Sequence, residues 1–413
     1  MRTILHSDLN NFYASVEILK HPELADKPLI VTGNKEDRHG VVLAKNMIAK
    51  QAGIKTGEVY WQAKKKAPDL IEISADFSTY LRVSKEVRKI YERYTDRVEA
   101  FGIDECWLDL TGNAGRLADG AAVAQEIRSS VKEEIGITVS IGVSWNKIFA
   151  KLGSDMNKPD AVTEITPENY REKVWPLPVE DLLYVGPATK KKLNIRGIRT
   201  IGQLAEAGEQ YLCGFLGKWG SYLHVFANGK DGTPVQKRGE EENVKSIGNS
   251  LTNYRDLTDD EDVYMLILLL ADSVAARLRE SAFGKAKTVQ IAITDSGLIR
   301  YGKQGKMPFP SRAATDIADF AYKLFQESYP WQNNVRAVSL SVSDFTRRYE
   351  QMNIFTDIVS EEKADRIQDT VAELRKKYGN KIIQRATILK DPRLKNFDIL
   401  GEHIIHPENY FGK

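Results

Sequence analysis

Asp8 closes the apolar run TILHS, and Asp104 and Glu105 stand side by side far along the chain in FGIDECWLDLTG. Carboxylates brought together raise one another's pKa unless a cation neutralises them. An all-oxygen set suits Mg²⁺, which keeps part of its water shell and takes its other ligands from substrate phosphates. Two such ions can stabilise both the attacking and the leaving oxygen of a nucleotidyl transfer. No thiolate pair, imidazole cluster or serine triad competes for this role. Taken singly, each residue reads as an ordinary strand-end or turn carboxylate. The reading therefore depends on the fold bringing the three to one point.

The elements around them supply that convergence. Strands are expected over Thr3–Ser7, Arg97–Ile103, Cys106–Leu110 and Thr138–Val143, with helices over Asn11–Lys20 and Gly120–Glu134. This is a β-α-β-β-α-β order, the split ferredoxin-like arrangement, in which the third strand lies antiparallel beside the first. The end of one then abuts the start of the other, and Asp8 meets Asp104 and Glu105. A Gly- and Lys-rich lobe from about Gly33, followed by a helix over Phe77–Tyr94, is inserted after the first helix.

Beyond Pro159 the texture changes to short helices punctuated by Gly and Pro, over 166–236. Asn228–Asn243, polar and without apolar periodicity, reads as a linker. The β-α-β-β-α-β order then returns over Lys245–Leu251, Asp259–Glu280, Lys287–Thr294, Leu298–Tyr301, Ser311–Tyr329 and Val335–Val342. A final helix, Glu361–Tyr378, aligns Ile367, Val371, Leu374 and Tyr378, with Gly379 as its C-terminal cap.

Length and composition set the frame. The chain has 413 residues, 42% of them hydrophobic, enough for several cores. A net charge of +2 requires any nucleic-acid enzyme of this composition to segregate acid from base. Two cysteines, Cys106 and Cys213, build neither a disulfide framework nor a zinc site and fit a reducing cytoplasm. MRTILHSDLNNFY does not read as a signal peptide, and the longest apolar stretch, Met265–Ala271, is too short to span a membrane. A soluble cytoplasmic protein is expected.

DLNNFYASVE, FGIDECWLDLTG and SIGVSWNKIFAKLGSDMNKPD closely resemble, in order, the catalytic motifs of Y-family DNA polymerases, with the bacterial polymerase IV and polymerase V catalytic subunits as nearest models. The resemblance implies an α+β, multidomain right-hand polymerase: a ferredoxin-like palm (1–32 and 75–165), small fingers (33–74) and a helix-hairpin-helix thumb (166–236). A linker (237–243), a ferredoxin-like little finger (244–347) and a tail (348–413) would follow. It implies low-fidelity, DNA-templated synthesis past damaged template in DNA repair, with two Mg²⁺ ions. Asp8, Asp104 and the backbone carbonyl of Leu9 would bind metal, with Glu105 completing the set. The partners implied are primer–template DNA, an incoming deoxynucleotide and a sliding clamp, for a monomer without membrane contact.

The resemblance also assigns residues around the nucleotide. Tyr13 matches an aromatic ring that excludes a ribose 2′-hydroxyl by overlap, with Phe12 beside it; on its own Tyr13 reads as a helix-face aromatic. Lys158 matches a lysine on the triphosphate, and Ala44 is a small residue over the base pair. The block GVVLAKNMIAKQAGIKTG departs from the pattern, with Met47 and Lys50 where the family has Tyr and Arg. Met47 offers no hydroxyl, and Lys50 keeps the charge but loses the bidentate fork.

VGPAT and GIRTIGQL look like helix-hairpin-helix elements, with Gly186 and Ala188 at a helix N-terminus that can receive a phosphate. Lys190, Lys191, Lys192, Arg196 and Arg199 cluster around them. Lys285, Lys287, Arg300, Lys303 and Lys306 would bind phosphates in the second β-α-β-β-α-β unit without reading bases. QMNIF resembles a clamp-docking peptide anchored by Gln351, Ile354 and Phe355. Two other readings stand beside the polymerase. A nucleotide cyclase uses a similar acidic palm but needs no thumb, and an accessory DNA-binding protein would have lost the chemistry.

Overall fold

A computed structural model describes residues 1–33, 40–112, 117–237, 244–281, 283–346 and 358–396. They divide into two compact units, one formed mainly by Met1–Gly33 and Val41–Glu241, the other mainly by Glu242–Ile404. In the first, β1 (Ile4–Leu9) and α1 (Phe12–Lys20) precede β2 (Leu29–Thr32), β3 (Val42–Lys45), α2 (Met47–Gln51), α3 (Tyr60–Lys66), β4 (Ile71–Ser74) and α4 (Phe77–Tyr91). Then come β5 (Val98–Ala100), β6 (Glu105–Asp109), α5 (Leu117–Ile135), β7 (Val139–Ser144), α6 (Lys147–Met156), β8 (Val162–Glu164) and α7 (Tyr170–Lys173).

The main sheet runs β5-β6-β1-β7-β8, the expected split order with β8 added as a parallel edge. β1 is antiparallel to both β6 and β7, so Asp8 stands opposite Glu105 and Ser140. Both faces of β1 are covered. Leu5 and Leu9 join the core formed with α1, α4 and α5, while Ile4 and His6 face α6. Asp8 shares the α6 face because side chains two apart in a strand point the same way.

The strand expected over Arg97–Ile103 is shorter because Gly102, at φ 99°, turns the chain into the hairpin carrying Asp104. Arg88 and Ser84 of α4 brace that turn by donating to the carbonyls of Gly102 and Ile103. α6 is capped by Asn146, whose Oδ1 accepts from Phe149 N at 2.8 Å. It packs backbone to backbone on β7: a Cβ on Gly142 would lie 1.9 Å from the Ala150 carbonyl oxygen.

A second sheet, β3-β2-β4, includes Leu29–Thr32 and so begins ahead of the boundary expected at Gly33. Downstream, α8 (Pro187–Asn194), α9 (Ile201–Glu206), α10 (Glu209–Leu216) and α11 (Lys218–Ala227) close around Leu193, Ile201, Leu204, Leu212 and Leu223. The stretch expected as a linker from Asn228 is built into this unit as far as Lys237. The Gly229 carbonyl accepts from Trp145 Nε1 at 2.9 Å, and Val235 is fully buried. Glu99 binds both Gln236 N (2.8 Å) and the buried Lys147 ammonium (2.5 Å). These partners are distant in sequence, so the polar stretch gave no sign of them.

The second unit holds β9 (Ser246–Leu257), α12 (Asp260–Glu280), β10 (Lys285–Asp295), β11 (Arg300–Ser311), α13 (Ala314–Ser328) and β12 (Val335–Thr346). The element order repeats that of the first unit, but the strand order is β11-β10-β12-β9. It is therefore not the ferredoxin-like order expected here. Apolar β10 takes an inner place, and β11, which carries two Gly, two Lys and two Pro, takes an edge. The expected tail does not hang free over its described part. α14 (Ile358–Tyr378) meets Arg279 through Asp365 (3.0 Å) and Asp369 (2.9 Å), Arg385 clasps Asp272, and Ile388 and Leu394 enter the core. The acidic face of α14 does the docking, leaving Ile367 and Tyr378 of its apolar face more than half exposed. No helix among the described residues is long and apolar enough to cross a membrane.

Gly142→Ala, which drives a methyl into the α6 backbone, is expected to destabilise the protein by about 3 kcal/mol. Chemical denaturation measures this. A loss below ~1 kcal/mol would show that α6 can retreat from β7.

Candidate active site

The backbone sets the acidic residues first. Leu9 N donates to the Asp104 carbonyl at 3.0 Å, locking the end of β1 onto the β5–β6 turn. Asp8, Asp104 and Glu105 thus come to one edge of the sheet, as their topology requires. Asn10 fixes the next step: its Nδ2 donates to Ser140 Oγ (2.9 Å), and its Oδ1 accepts from Asp160 N (2.8 Å). That bond ties down the loop carrying Lys158.

Crowding of charge is visible in the proton affinities. Burial, then Glu105 and Asp8, push the Asp104 carboxyl up to about 6. Burial and Glu105 also raise Asp8, against the pull of Lys158 and Lys151. The two ammonium groups lie among the carboxylates. Lys158 Nζ is 2.6 Å from Asp8 and 2.7 Å from Asp155; Lys151 Nζ is 2.9 Å from Glu105, 3.3 Å from Asp155 and 3.6 Å from Asp8. Burial opposes the charge on both lysines, but these carboxylates outweigh it and raise both pKa values. With Asp8 and Glu105 drawn onto ammonium groups, no closed cage of three metal-binding side chains forms among the described residues. The donor set nevertheless suits a hard divalent cation: carboxylate oxygens only, partly buried, with more negative than positive charge.

Lys151, Asp155 and His6 were not singled out from sequence. A weak sign existed, since Lys147, Lys151 and Asp155 recur every four residues on one face of α6. His6 is fully buried, and burial, then Lys151, lower its pKa well below the usual value, so it is neutral. Ser154 Oγ gives its hydrogen to the Lys151 carbonyl (2.7 Å), so it accepts from His6 Nδ1–H at 2.9 Å. His6 thereby pins the turn of α6 that presents Lys151.

Tyr13 stacks on Tyr80 with ring centroids 4.4 Å apart and packs edge-on to Phe77. Burial, then the Asp104 charge, push its hydroxyl up to about 12, so the ring stays neutral beside the acidic centre. Phe12 is a correction: only 3% exposed, it belongs to the core and has no free face for a ligand. Its burial follows the helix face it shares with Val16; neighbours on a helix diverge by about 100°, which leaves Tyr13 on another face. Ala44 packs at the border of the same core as Tyr13. Lys50 is exposed on α2, close enough that its charge, after burial, lowers the pKa of Lys45.

Away from this centre, Gly186 caps α8 and Ala188 lies in its exposed first turn. Lys191, Lys192, Arg196 and Arg199 are exposed, but Lys190 pairs with Glu180 at 2.5 Å and Arg196 lies 3.9 Å over Phe215. Lys190 and Arg196 therefore reach a phosphate only by giving up a partner.

In the second unit a bulge between Ala286 and Thr288 switches the alternation of β10. The core residues are Val289, Ile291 and Ile293 beyond the bulge, and Ala286 before it, so Lys285 and Lys287 lie on the opposite face. That face continues through Gln290, Gln304, Ser341, Gly248, Lys306 and Arg300, which are small or polar neighbours across the sheet. Lys303 is a correction: it pairs with Glu327 of α13 at 2.9 Å, on the helix side. Gln351, Ile354 and Phe355 lie outside the described residues.

Comparison with known proteins bears on this arrangement. Residues 7–155 match the impB/mucB/samB family, and 244–354 match that family's C-terminal domain. DNA polymerase IV of Acetivibrio thermocellus is 50% identical over 392 residues, covering 94% of this chain and 98% of the relative. The chain belongs to the Y family of DNA polymerases. DNA polymerase IV 1 of Bacillus subtilis is 35% identical over 95% of each chain. A Y-family chimera of Dbh and Dpo4 superimposes with a TM-score of 0.74 over 84% of this chain and 99% of the chimera, at 23% identity. An insertion ternary complex of Dbh DNA polymerase gives 0.59 over the same shares. The polymerase therefore has the right-hand fold and is a DNA-templated translesion enzyme of a metal-dependent family.

A carboxyl raised to about 6 in the folded state gives a stability that is full below the ordinary carboxylate value and is lost as pH rises through 6. Asp104→Asn should therefore raise the melting temperature of the metal-free polymerase above pH 6 and give no advantage at pH 3.5. Melting curves across that range decide the matter; an advantage independent of pH would contradict the charge crowding.

Proposed function

We propose that Asp8, Asp104, Glu105 and the Leu9 carbonyl hold two Mg²⁺ ions, and that a primer 3′-hydroxyl attacks the α-phosphate of an incoming deoxynucleotide there. The observation that carries this reading is the convergence of three carboxylates at the meeting of β1 with the β5–β6 turn. Bound there, Mg²⁺ would polarise the phosphate and stabilise the attacking and leaving oxygens. The protein's own part is to hold these carboxylates together and aligned. Lys158, between Asp8 and Asp155, meets the departing pyrophosphate as a point charge, aided by Lys50. Tyr13, braced by Tyr80 and Phe77, blocks a ribose 2′-hydroxyl, and Ala44 leaves the base pair roomy.

The main sheet and its helices act as palm, the β3-β2-β4 lobe as fingers, and α8–α11 as thumb, with the second unit as little finger. Phosphates of primer–template DNA are met by Gly186, Ala188 and Lys190–Lys192, and by the open sheet face with Lys285, Lys287 and Arg300. A face of serine, glycine, threonine and glutamine with basic residues along one side suits a backbone of any sequence. The polymerase works as a cytoplasmic monomer and docks on a sliding clamp through Gln351, Ile354 and Phe355.

Extension of a labelled primer on template DNA with Mg²⁺ and deoxynucleotides tests the centre. Asp104→Ala should reduce it on the order of a thousandfold or more while DNA binding persists. Extension that survives this change would remove Asp104 from the chemistry. In the same assay Tyr13→Ala should raise ribonucleotide use relative to deoxynucleotide by about two orders of magnitude. An unchanged ratio would mean that the ring does not face the sugar.

A further inference from the structure

We propose that Lys151 is a resident counter-ion of the acidic centre: it holds Asp8 and Glu105 until a divalent cation binds, and then passes to Asp155. It is a positioning residue, and the proposal rests on the reading of Asp8, Asp104 and Glu105 as metal ligands. One ammonium group meets three carboxylates, Glu105 at 2.9 Å, Asp155 at 3.3 Å and Asp8 at 3.6 Å, and its side chain is only 13% exposed.

The surroundings fix Lys151 where it competes. The Gly142 contact brings α6 against β7, and Ser154, held by His6, binds the Lys151 carbonyl. Four carboxylates, Asp8, Asp104, Glu105 and Asp155, face two ammonium groups, Lys151 and Lys158, leaving a formal excess of two negative charges. That excess invites a divalent cation, which must take oxygens the lysines now hold. Asp155 offers the lysines somewhere to go. Its side chain is 46% exposed and already touches both, at 3.3 and 2.7 Å, so neither ammonium needs to cross open solvent.

Opposite signs follow for two neighbouring residues. Without Lys151 the carboxylates repel one another more strongly and only Lys158, on Asp8, still competes, so metal binds more tightly. Without Asp155 both lysines stay on Asp8 and Glu105, so metal binds more weakly. A lysine with a purely structural role would lower stability by the same amount at every metal concentration.

The test is Mn²⁺ titration of the full chain, without DNA or nucleotide, followed by water-proton relaxation, with melting temperatures measured along the titration. Lys151→Met should lower the half-saturating Mn²⁺ about tenfold and lose its stability deficit as Mn²⁺ rises. Asp155→Asn should raise half-saturation by several-fold. Lys151→Gln is read the same way if the methionine variant does not fold. Unchanged half-saturation in Lys151→Met and Asp155→Asn, or shifts of the same sign in both, would overturn the proposal. Asp104→Asn separates the two readings. If it weakens Mn²⁺ binding while the other variants do nothing, only the counter-ion proposal falls. If it binds Mn²⁺ like the wild type, the metal-ligand reading falls and the counter-ion proposal with it.

Discussion

Like charges do not gather at the edge of a sheet unless something holds them there. In this polymerase the holding is shared between backbone and cations. The Leu9–Asp104 hydrogen bond and the β1–β6 pairing force Asp8, Asp104 and Glu105 together, and Lys151 and Lys158 offset the repulsion that results. Much of the first unit can be understood as support for that arrangement. α4 braces the turn below Asp104, Asn10 ties the Lys158 loop, and the glycine contact between β7 and α6 sets the distance at which the lysines act.

The second unit solves a different problem with the same element order. Its strands are arranged so that one face carries the core and the other carries serine, glycine, threonine and glutamine, with basic residues along β11 and the end of β10. A single bulge in β10 decides which face Lys285 and Lys287 join. Charge at this surface is therefore set by register, and Lys303, one step out of phase, is spent on a helix instead. The C-terminal segment adds Arg385–Asp272 and Arg279–Asp365 to hold itself on this unit, alongside Ile388 and Leu394 in its core.

The sequence by itself determined the element order, the acidic trio and the family, because each depends on residue type at short range or on motifs that stand contiguous in the chain. Alternation and helical period placed the core elements of the two β-α-β-β-α-β units, although β9 and β11 run well past the expected Lys245–Leu251 and Leu298–Tyr301. The topology of a split βαββαβ sheet then required Asp8 to meet Glu105, and Tyr13 was legible only through the motif in which it sits.

Tertiary structure alone decided what lies between distant residues. It turned Lys303 to the helix side, drew 228–237 onto the first unit and gave the sheet of the second unit its own strand order. It also brought Lys151 and Asp155 to the carboxylates, which no spacing in the chain announces beyond a four-residue rhythm on α6. The physical reason is common to all of these. A side chain's partner across a sheet or between packed helices depends on register and on close approach, and here one bulge and one glycine contact set both.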